Sequence, residues 1–413
     1  MSASPACRFC AAPLTHTLVD LGDQPLSNSY LTPAQLQAGT ERSYPLHARV
    51  CHACFLVQVD DVVPAEDIFD ADYAYFSSFS ASWVAHAKRY AEAMIERLDL
   101  GPESLVVEVA SNDGYLLQHF AARDIQVLGI EPTANTAQAA RARGVPTETV
   151  FFNEATAVDL AARGVRADLM AANNVLAHVP DISAFVAGFR HVLKAQGVLT
   201  FEFPHLLNLI EQVQFDTIYH EHFSYLSLLT VEQVLRANGL RPFDVELLPT
   251  HGGSLRLFCC HIGAGFAETE ALAALREREA AAGLDRIETY EGFTPRVEAV
   301  RASFLDFLGK AKAKGERIAA YGAAAKGNTF LNVCGVSAND IVCVFDRSEA
   351  KQGKLLPGSH IPILAPDRIA EVKPDYLVIL PWNLAQEIKA QTAVLTLWGG
   401  RFVTAVPDMR IFA

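Results

Sequence analysis

From Ser104 onward, short apolar runs alternate with segments of helical periodicity, and a second series of the same kind begins beyond Gly315. Leu105–Val109, Val127–Ile130 and Leu169–Ala172 read as buried strands, with Tyr115–Arg123, Ala134–Arg143 and Ile182–Leu193 as helices. Strands that alternate with helices predict an α/β chain with a doubly wound, Rossmann-like parallel sheet. Ligands of such a sheet sit at the C-terminal ends of its strands. Arg317–Tyr321, Ile341–Phe345, Tyr376–Leu380 and Arg401–Val406 predict a second Rossmann-like unit. Helical, amphipathic Ala267–Ala281 and Ile287–Ala313, broken at Gly283, bridge the two. A chain of 413 residues exceeds one ordinary core. We expect three domains, over residues 1–72, 73–266 and 267–413.

The first is defined by cysteine. Cys7 and Cys10, and Cys51 and Cys54, form two C-x-x-C knuckles; Cys259, Cys260, Cys334 and Cys343 follow no such pattern. In a reducing compartment paired knuckles favour zinc, and four thiolates complete a closed tetrahedral shell. The site is therefore expected to hold a structural Zn²⁺ rather than a catalytic one. The stretch between Cys10 and Cys51 exceeds the common zinc-ribbon spacing and should fold as a small subdomain. Phe55–Val59 reads as a strand leaving the second knuckle.

Composition excludes several classes. A net charge of −13 disfavours nucleic acid, whose phosphates need a basic surface. The opening residues lack the apolar core of a signal peptide, and no run reaches the ~18 apolar residues of a membrane span. We expect a cytoplasmic protein with no membrane partner, and the acidic surface favours a monomer.

Glu108–Gly114 (EVASNDG) follows the first strand of the central unit and holds a single glycine. A dinucleotide pyrophosphate needs several for close backbone approach, whereas S-adenosylmethionine carries no phosphate. It needs polar groups for an amino-acid head and an acid for a ribose. Glu108, Ser111, Asn112, Asp113 and Gly114 meet the first demand; Glu131, about twenty residues further on, meets the second. Asn173 and Asn174 end a later strand facing the same head, and His178 lies just beyond. Glu131 reads alternatively as a solvated helix cap. In the second unit Gly322–Thr329 (GAAAKGNT) matches neither the Walker pattern nor G-x-G-x-x-G, yet Gly322, Lys326 and Gly327 can present amides and an ammonium to phosphates. Tyr321 and Asn328 flank them as further substrate contacts, and His251 and Arg256 are candidates for an anionic substrate.

Phe215–Ser224 (FDTIYHEHFS) concentrates the reactive groups. Tyr219, His220, Glu221 and His222 place a phenol, two imidazoles and a carboxylate in consecutive positions. An imidazole titrates near neutrality and a neighbouring carboxylate can fix its tautomer, which suits removal of a proton next to a carbonyl. Extended backbone puts the two histidines on one face; a tight turn brings all four groups to one pocket. A solvated turn is the bland alternative. Tyr73 and Tyr75, in an aromatic connector ahead of a helix over Ser82–Leu98, either reach that pocket or pack the linker.

CRFC…CHAC, EVASNDGYLL, NNVLAHVPD, QFDTIYHEHFSYLS and YGAAAKGNT occur in the order found in sugar C-methyltransferases, and the chain resembles that family over its whole length. These enzymes use S-adenosylmethionine to methylate C3, or in some members C5, of nucleotide-linked 4-keto-6-deoxy sugars. The resemblance implies that His222 removes the C3 proton. It also implies that Tyr219 and Glu221 position the sugar and orient that histidine, with His178 near the developing enolate. Tyr73 or Tyr75 would reach in from the connector, and Lys326 with its neighbouring amides would hold the pyrophosphate of a dTDP-type sugar nucleotide, His220 adding a substrate contact. Amine or hydroxyl methylation, an NAD-dependent sugar oxidoreductase using Asp346, and an RNA methyltransferase are the rivals; missing glycine triplets and the acidic charge weigh against the last two.

Overall fold

Strand β1 (His16–Pro25) pairs antiparallel with β2 (Ser43–Val50), and β2 with β3 (Val57–Val59). Leu46, Ala48 and Val50 of β2 are buried, the two-residue period of a strand covered on one face. In this computed structural model, which describes residues 5–60, 62–63 and 76–413, β1 and β2 lie between the knuckles. The long Cys10–Cys51 interval is thus filled by structure of its own.

The helix Ala81–Leu98 is capped by Ser80, whose side chain accepts from Trp83 N–H, and it buries Ala87, Tyr90, Ala91 and Met94 at helical spacing. Then come β4 (Leu105–Val109), β5 (Gln126–Ile130), β6 (Thr147–Glu148), β7 (Ala167–Asn173) and β8 (Leu193–Pro204). The strand β9 (Ser224–Tyr225) leaves this unit and pairs antiparallel with β3, completing the first sheet. The strands β10 (Leu240–Leu248) and β11 (Ser254–His261) return to the central sheet. Its order is β10-β11-β8-β7-β4-β5-β6, with β4 to β8 paired in parallel and β11 antiparallel to both neighbours. The chain runs outward from β4 to β6 and then restarts at β7, so the order reverses between β4 and β7, where ligand crevices form.

The expected elements are present with shifted ends. The helix expected over Tyr115–Arg123 is only Leu117–Ala121, because the turn after β4 continues to Leu116. β8 starts earlier than its apolar run: Lys194–Gln196 lie at a register shift against β7, where polar side chains reach the surface.

The third sheet comprises β12 (Ile318–Tyr321), β13 (Val344–Phe345), β14 (Ile363–Leu364), β15 (Tyr376–Ile379), β16 (Arg401–Thr404) and β17 (Arg410–Phe412). Its order is β14-β13-β12-β15-β16-β17, all parallel except β17, with the reversal between β12 and β15. The bridging helices are Glu270–Ala281, Ile287–Glu291 and Phe293–Ala313. The first buries Leu272 and Leu275 in the core of the central sheet; the last buries Phe304 and Phe307 against the third. One apolar cluster runs from Leu18 and Val57 through Phe215 and Ile218 to Phe304, Phe330 and Val378. The first sheet and the C-terminal unit therefore share a core. Among the described residues no helix is long and apolar enough to cross a membrane.

Candidate active site and cofactor cleft

Phe215, Ile218 and Phe223 are fully buried, so the polar residues between them are held up as a turn rather than dispersed in solvent. His222 N–H donates to the Tyr219 carbonyl at 2.9 Å and closes that turn, while Tyr219 N–H donates to the Tyr225 hydroxyl at 3.2 Å. The turn does not gather all four groups. His222 packs on Tyr219 with ring centres 4.0 Å apart and meets the His178 ring at 4.6 Å, nearly edge-on. His220, expected to touch substrate, points the other way: its Nε2 is 3.2 Å from the Pro45 carbonyl and its ring abuts Tyr44.

Nor does Glu221 orient His222. His222 Nδ1–H donates to the Thr217 carbonyl at 3.0 Å, which leaves the lone pair on Nε2. The Glu221 carboxylate instead accepts from Asn28 Nδ2 at 2.5 Å, and its backbone carbonyl accepts from His178 Nδ1–H at 2.8 Å. A backbone carbonyl, invisible in a side-chain inventory, does the orienting that the adjacent carboxylate was expected to do. Burial holds His178 down at about 4. Burial, reinforced by His178, holds His222 well below the ordinary imidazole range. Both rings are neutral at physiological pH. Tyr73 and Tyr75 lie outside the described residues.

The cofactor residues converge where the central strand order reverses. Ala110, Asn112 and Gly114 have positive φ, folding the loop back over the end of β4; a Cβ on Gly114 would stand 3.1 Å from Val145. Glu131 is buried and receives Asn112 N–H on one oxygen and Thr133 N–H on the other, each 2.9 Å. That disposes of the solvated-cap alternative. Asp113 is buried and bound to the Arg143 guanidinium (2.8 Å) and the Ser78 hydroxyl (2.5 Å). Its role here is to lock the loop onto the helix Ala134–Ala142. Glu108 is fully enclosed, and burial pushes its carboxyl well above the ordinary range. Ser111 Oγ, Asp113 Oδ1, Asn173 Oδ1 and Asn174 Oδ1 present buried oxygens without a hydrogen-bond partner, and Glu108 adds a buried carboxyl that the Tyr115 side chain approaches. A polar ligand rich in N–H and O–H donors fits that set. Asn174, at φ 52°, turns the chain out of β7 beside it.

On the C-terminal unit Gly322, at φ 93°, lets β12 pass so close to Pro381 that a Cβ would lie 2.5 Å from the ring. Lys326 Nζ donates to Asn383 Oδ1 (2.9 Å) and lies 4.8 Å above the Trp382 ring. Trp382 Nε1–H donates to Asp216 Oδ2 at 2.8 Å. Burial pushes Asp216 up to about 6 and lowers Lys326, each opposed by the other's charge. Asp216 lies within Phe215–Ser224, so this cluster ties the histidine-bearing turn to the C-terminal loop. Asn328 is committed to the Ser27 carbonyl (2.5 Å), Gly327 packs against Leu380, and Tyr321 OH is a distant 3.5 Å from Gln391. His251, exposed at φ 55°, faces Trp83. Arg256 is not available to an anionic substrate: it is buried in β11, paired with Glu202 (2.7 Å) and Glu246 (2.9 Å) over the Tyr90 ring. Asn28 and Trp382 were not anticipated: Asn28 is a lone polar residue in a turn and Trp382 opens the short helix Trp382–Leu384, and neither carries a periodic signal.

The four cysteine sulfurs lie within 4.8 Å of one another, with Cys10–Cys51 at 3.4 Å and Cys7–Cys54 at 3.6 Å. Tetrahedral ligands at the ordinary Zn–S length of 2.3 Å stand about 3.8 Å apart, so the donor set and spacing fit zinc. Each knuckle closes identically: Ala11 and Phe55, both at positive φ, donate N–H to the carbonyls of Cys7 and Cys51 at 2.9 Å.

A doubly wound sheet with a donor-seeking, glycine-poor cleft at its reversal point defines an S-adenosylmethionine-dependent methyltransferase. Residues 7–69 match the profile of a zinc binding domain, 83–245 that of a methyltransferase domain, and 249–407 that of a C-methyltransferase C-terminal domain. The C-methyltransferase NovU of Streptomyces niveus is 34% identical over 407 residues, 98% of this chain and 96% of its own length. The chain belongs to this C-methyltransferase family. More distantly, the ubiquinone biosynthesis O-methyltransferase of Rhodopseudomonas palustris (strain BisA53) is 25% identical over 33% of this chain and 62% of its own. Magnesium protoporphyrin IX methyltransferase from Synechocystis PCC 6803 aligns with TM-score 0.35 at 15% identity, over 49% of this chain and 99% of that one.

Proposed function

We propose that this C-methyltransferase acts on C3, beside the C4 ketone of a nucleoside-diphosphate-linked 4-keto-6-deoxy sugar, with His222 as the general base. The observation that carries the reading is the His222 tautomer: Nδ1–H is committed to the Thr217 carbonyl, so a neutral Nε2 is available to take a proton. A ketone acidifies the neighbouring C–H, and a positioned base suits that abstraction. The enolate oxygen then needs a donor. His178 is a poor one, since its Nδ1–H is used by the Glu221 carbonyl and burial keeps the ring neutral. The Tyr219 hydroxyl, carried on the ring packed against His222, suits the task better. S-adenosylmethionine, when bound, supplies an electrophilic methyl group for the enolate carbon. Glu131, with Asn112 N–H fixing one oxygen, would take the ribose hydroxyls; Glu108, Ser111, Asn173 and Asn174 would take the amino-acid head. Lys326 would meet the diphosphate from the opposite unit. We read the enzyme as cytoplasmic and monomeric.

The test is mass spectrometry of the product formed from dTDP-4-keto-6-deoxyglucose and S-adenosylmethionine. A methyl group located on C3 by fragmentation supports the reading. A methyl on oxygen overturns it, as does absence of turnover across dTDP-, UDP- and GDP-linked keto sugars.

A further inference from the structure

The first zinc knuckle reaches the histidine pair, although nothing in the reaction asks it to. Arg8 lies between the two thiolates of that knuckle and is half-buried. Its backbone N–H donates to Gln58 Oε1 at 2.9 Å, and Gln58 Nε2 donates to Cys7 Sγ at 3.3 Å, so the root of Arg8 is pinned to the metal shell. Its guanidinium then reaches across the edge of the zinc domain. One amino group donates to the Pro180 carbonyl at 3.0 Å, two residues beyond His178. The other donates to the Val59 carbonyl at 2.8 Å, and the guanidinium carbon stands 5.2 Å from the centre of the Phe223 ring, next to His222. Val59 N–H donates to the Phe223 carbonyl at 3.2 Å, and Gln58 pairs with Ser224 across β3 and β9. One side chain thus joins the two segments that carry His178 and His222.

We propose that Arg8 is a positioning residue: anchored on the zinc shell through Gln58, it holds the Pro180 and Phe223 segments at the separation that seats His222 on the Thr217 carbonyl and against His178. The proposal rests on the reading of His222 as the base. A planar guanidinium is suited to bridging two carbonyls in fixed directions, which a single ammonium cannot reproduce. Misplacing a base by about 1 Å can cost on the order of 10²-fold in rate. Zinc then acts on catalysis at a distance, by holding the residue that holds the base.

The experiment uses full-length, zinc-loaded wild type, Arg8→Ala and Arg8→Lys. It measures zinc content, S-adenosylhomocysteine affinity, kcat and KM, and the His222 tautomer by long-range ¹H–¹⁵N NMR, with the signal assigned by its loss in His222→Gln. Arg8→Ala should keep its zinc and its S-adenosylhomocysteine affinity, while the His222 Nδ1 signal moves towards the average of two tautomers. In the same variant kcat should fall about 10- to 100-fold with the donor KM unchanged, Arg8→Lys falling between. A His222 that keeps one tautomer in Arg8→Ala, with kcat at the wild-type value, overturns the proposal. Should Arg8→Ala lose zinc, Arg8→Lys decides by the same two readouts. Wild type that methylates no keto sugar counts against the sugar reading alone, and the tautomer still decides this one.

Discussion

His222 is kept neutral and oriented by what surrounds it rather than by a partner carboxylate. Its proton is fixed on Nδ1 by the Thr217 carbonyl, and burial beside His178 disfavours the imidazolium. On the reading of His222 as the base, His222→Ala should lower kcat by roughly 10²–10⁴ while S-adenosylhomocysteine binds as before, since no cofactor residue is touched. The depressed imidazole gives a pH prediction with a definite sign. A base held below the ordinary value of about 6.5 keeps its lone pair as pH falls, so the acid limb of kcat/KM should lie below 6.5. A limb at or above that value, measured with saturating cofactor, would show that His222 is not buried as described or is not the base. The residue scale is also where sequence reading failed most instructively. Tyr219, His220, Glu221 and His222 were legible as a run of reactive side chains. Which of them touch one another was not, because the Thr217 carbonyl and the Asn28 amide decide it, and neither carries a side-chain signature linking it to the turn.

At the scale of elements, apolar runs marked the central strands, since a strand buried on both faces cannot be polar, but β1, β2, β6, β10, β14, β17 and the order within each sheet were not legible. Ends were lost where the physics is local: a turn running past Gly114 shortened one helix, and a register shift lengthened β8 with polar residues. The junction of β8 with the helix Leu228–Ala237 depends on a buried pair. Glu279, from the bridging helix, accepts from Leu228 and Leu229 N–H at 2.7 and 2.8 Å and lies 2.7 Å from His205 Nε2. Glu279→Ala leaves that helix start and His205 without a buried partner, and urea denaturation should show a loss of about 3–5 kcal/mol. The knuckles make a parallel case. Chelating the metal removes on the order of 10 kcal/mol of folding free energy from β1 to β3. Because β9 is hydrogen-bonded to β3, hydrogen exchange should rise in Ser224–Tyr225 as well as in the zinc domain, and protection unchanged at β9 would contradict the shared sheet.

The whole molecule holds the histidine-bearing turn between two units that each offer a strand-reversal crevice. At the central crevice Ser111, Asn173 and Asn174 present unpartnered buried oxygens; the C-terminal unit offers Lys326, held over Trp382 with Asp216 beneath. In a chain of net charge −13 a diphosphate needs such a local cation. Lys326→Met should therefore raise KM for the sugar nucleotide about tenfold or more, the scale of a lost charged hydrogen bond, and leave the KM for S-adenosylmethionine unchanged. The two α/β units and the zinc knuckles were legible in sequence, but the cluster of Asp216, Lys326 and Trp382 was not, because its members come from segments remote along the chain. The central claim, proton removal from carbon by His222, is tested most directly by incubating the keto sugar nucleotide with the enzyme and S-adenosylhomocysteine in D₂O, where no methyl can transfer. Deuterium should enter C3 with wild type and not with His222→Ala. Exchange at an equal rate in both, or none in wild type that methylates the same sugar, would contradict the account.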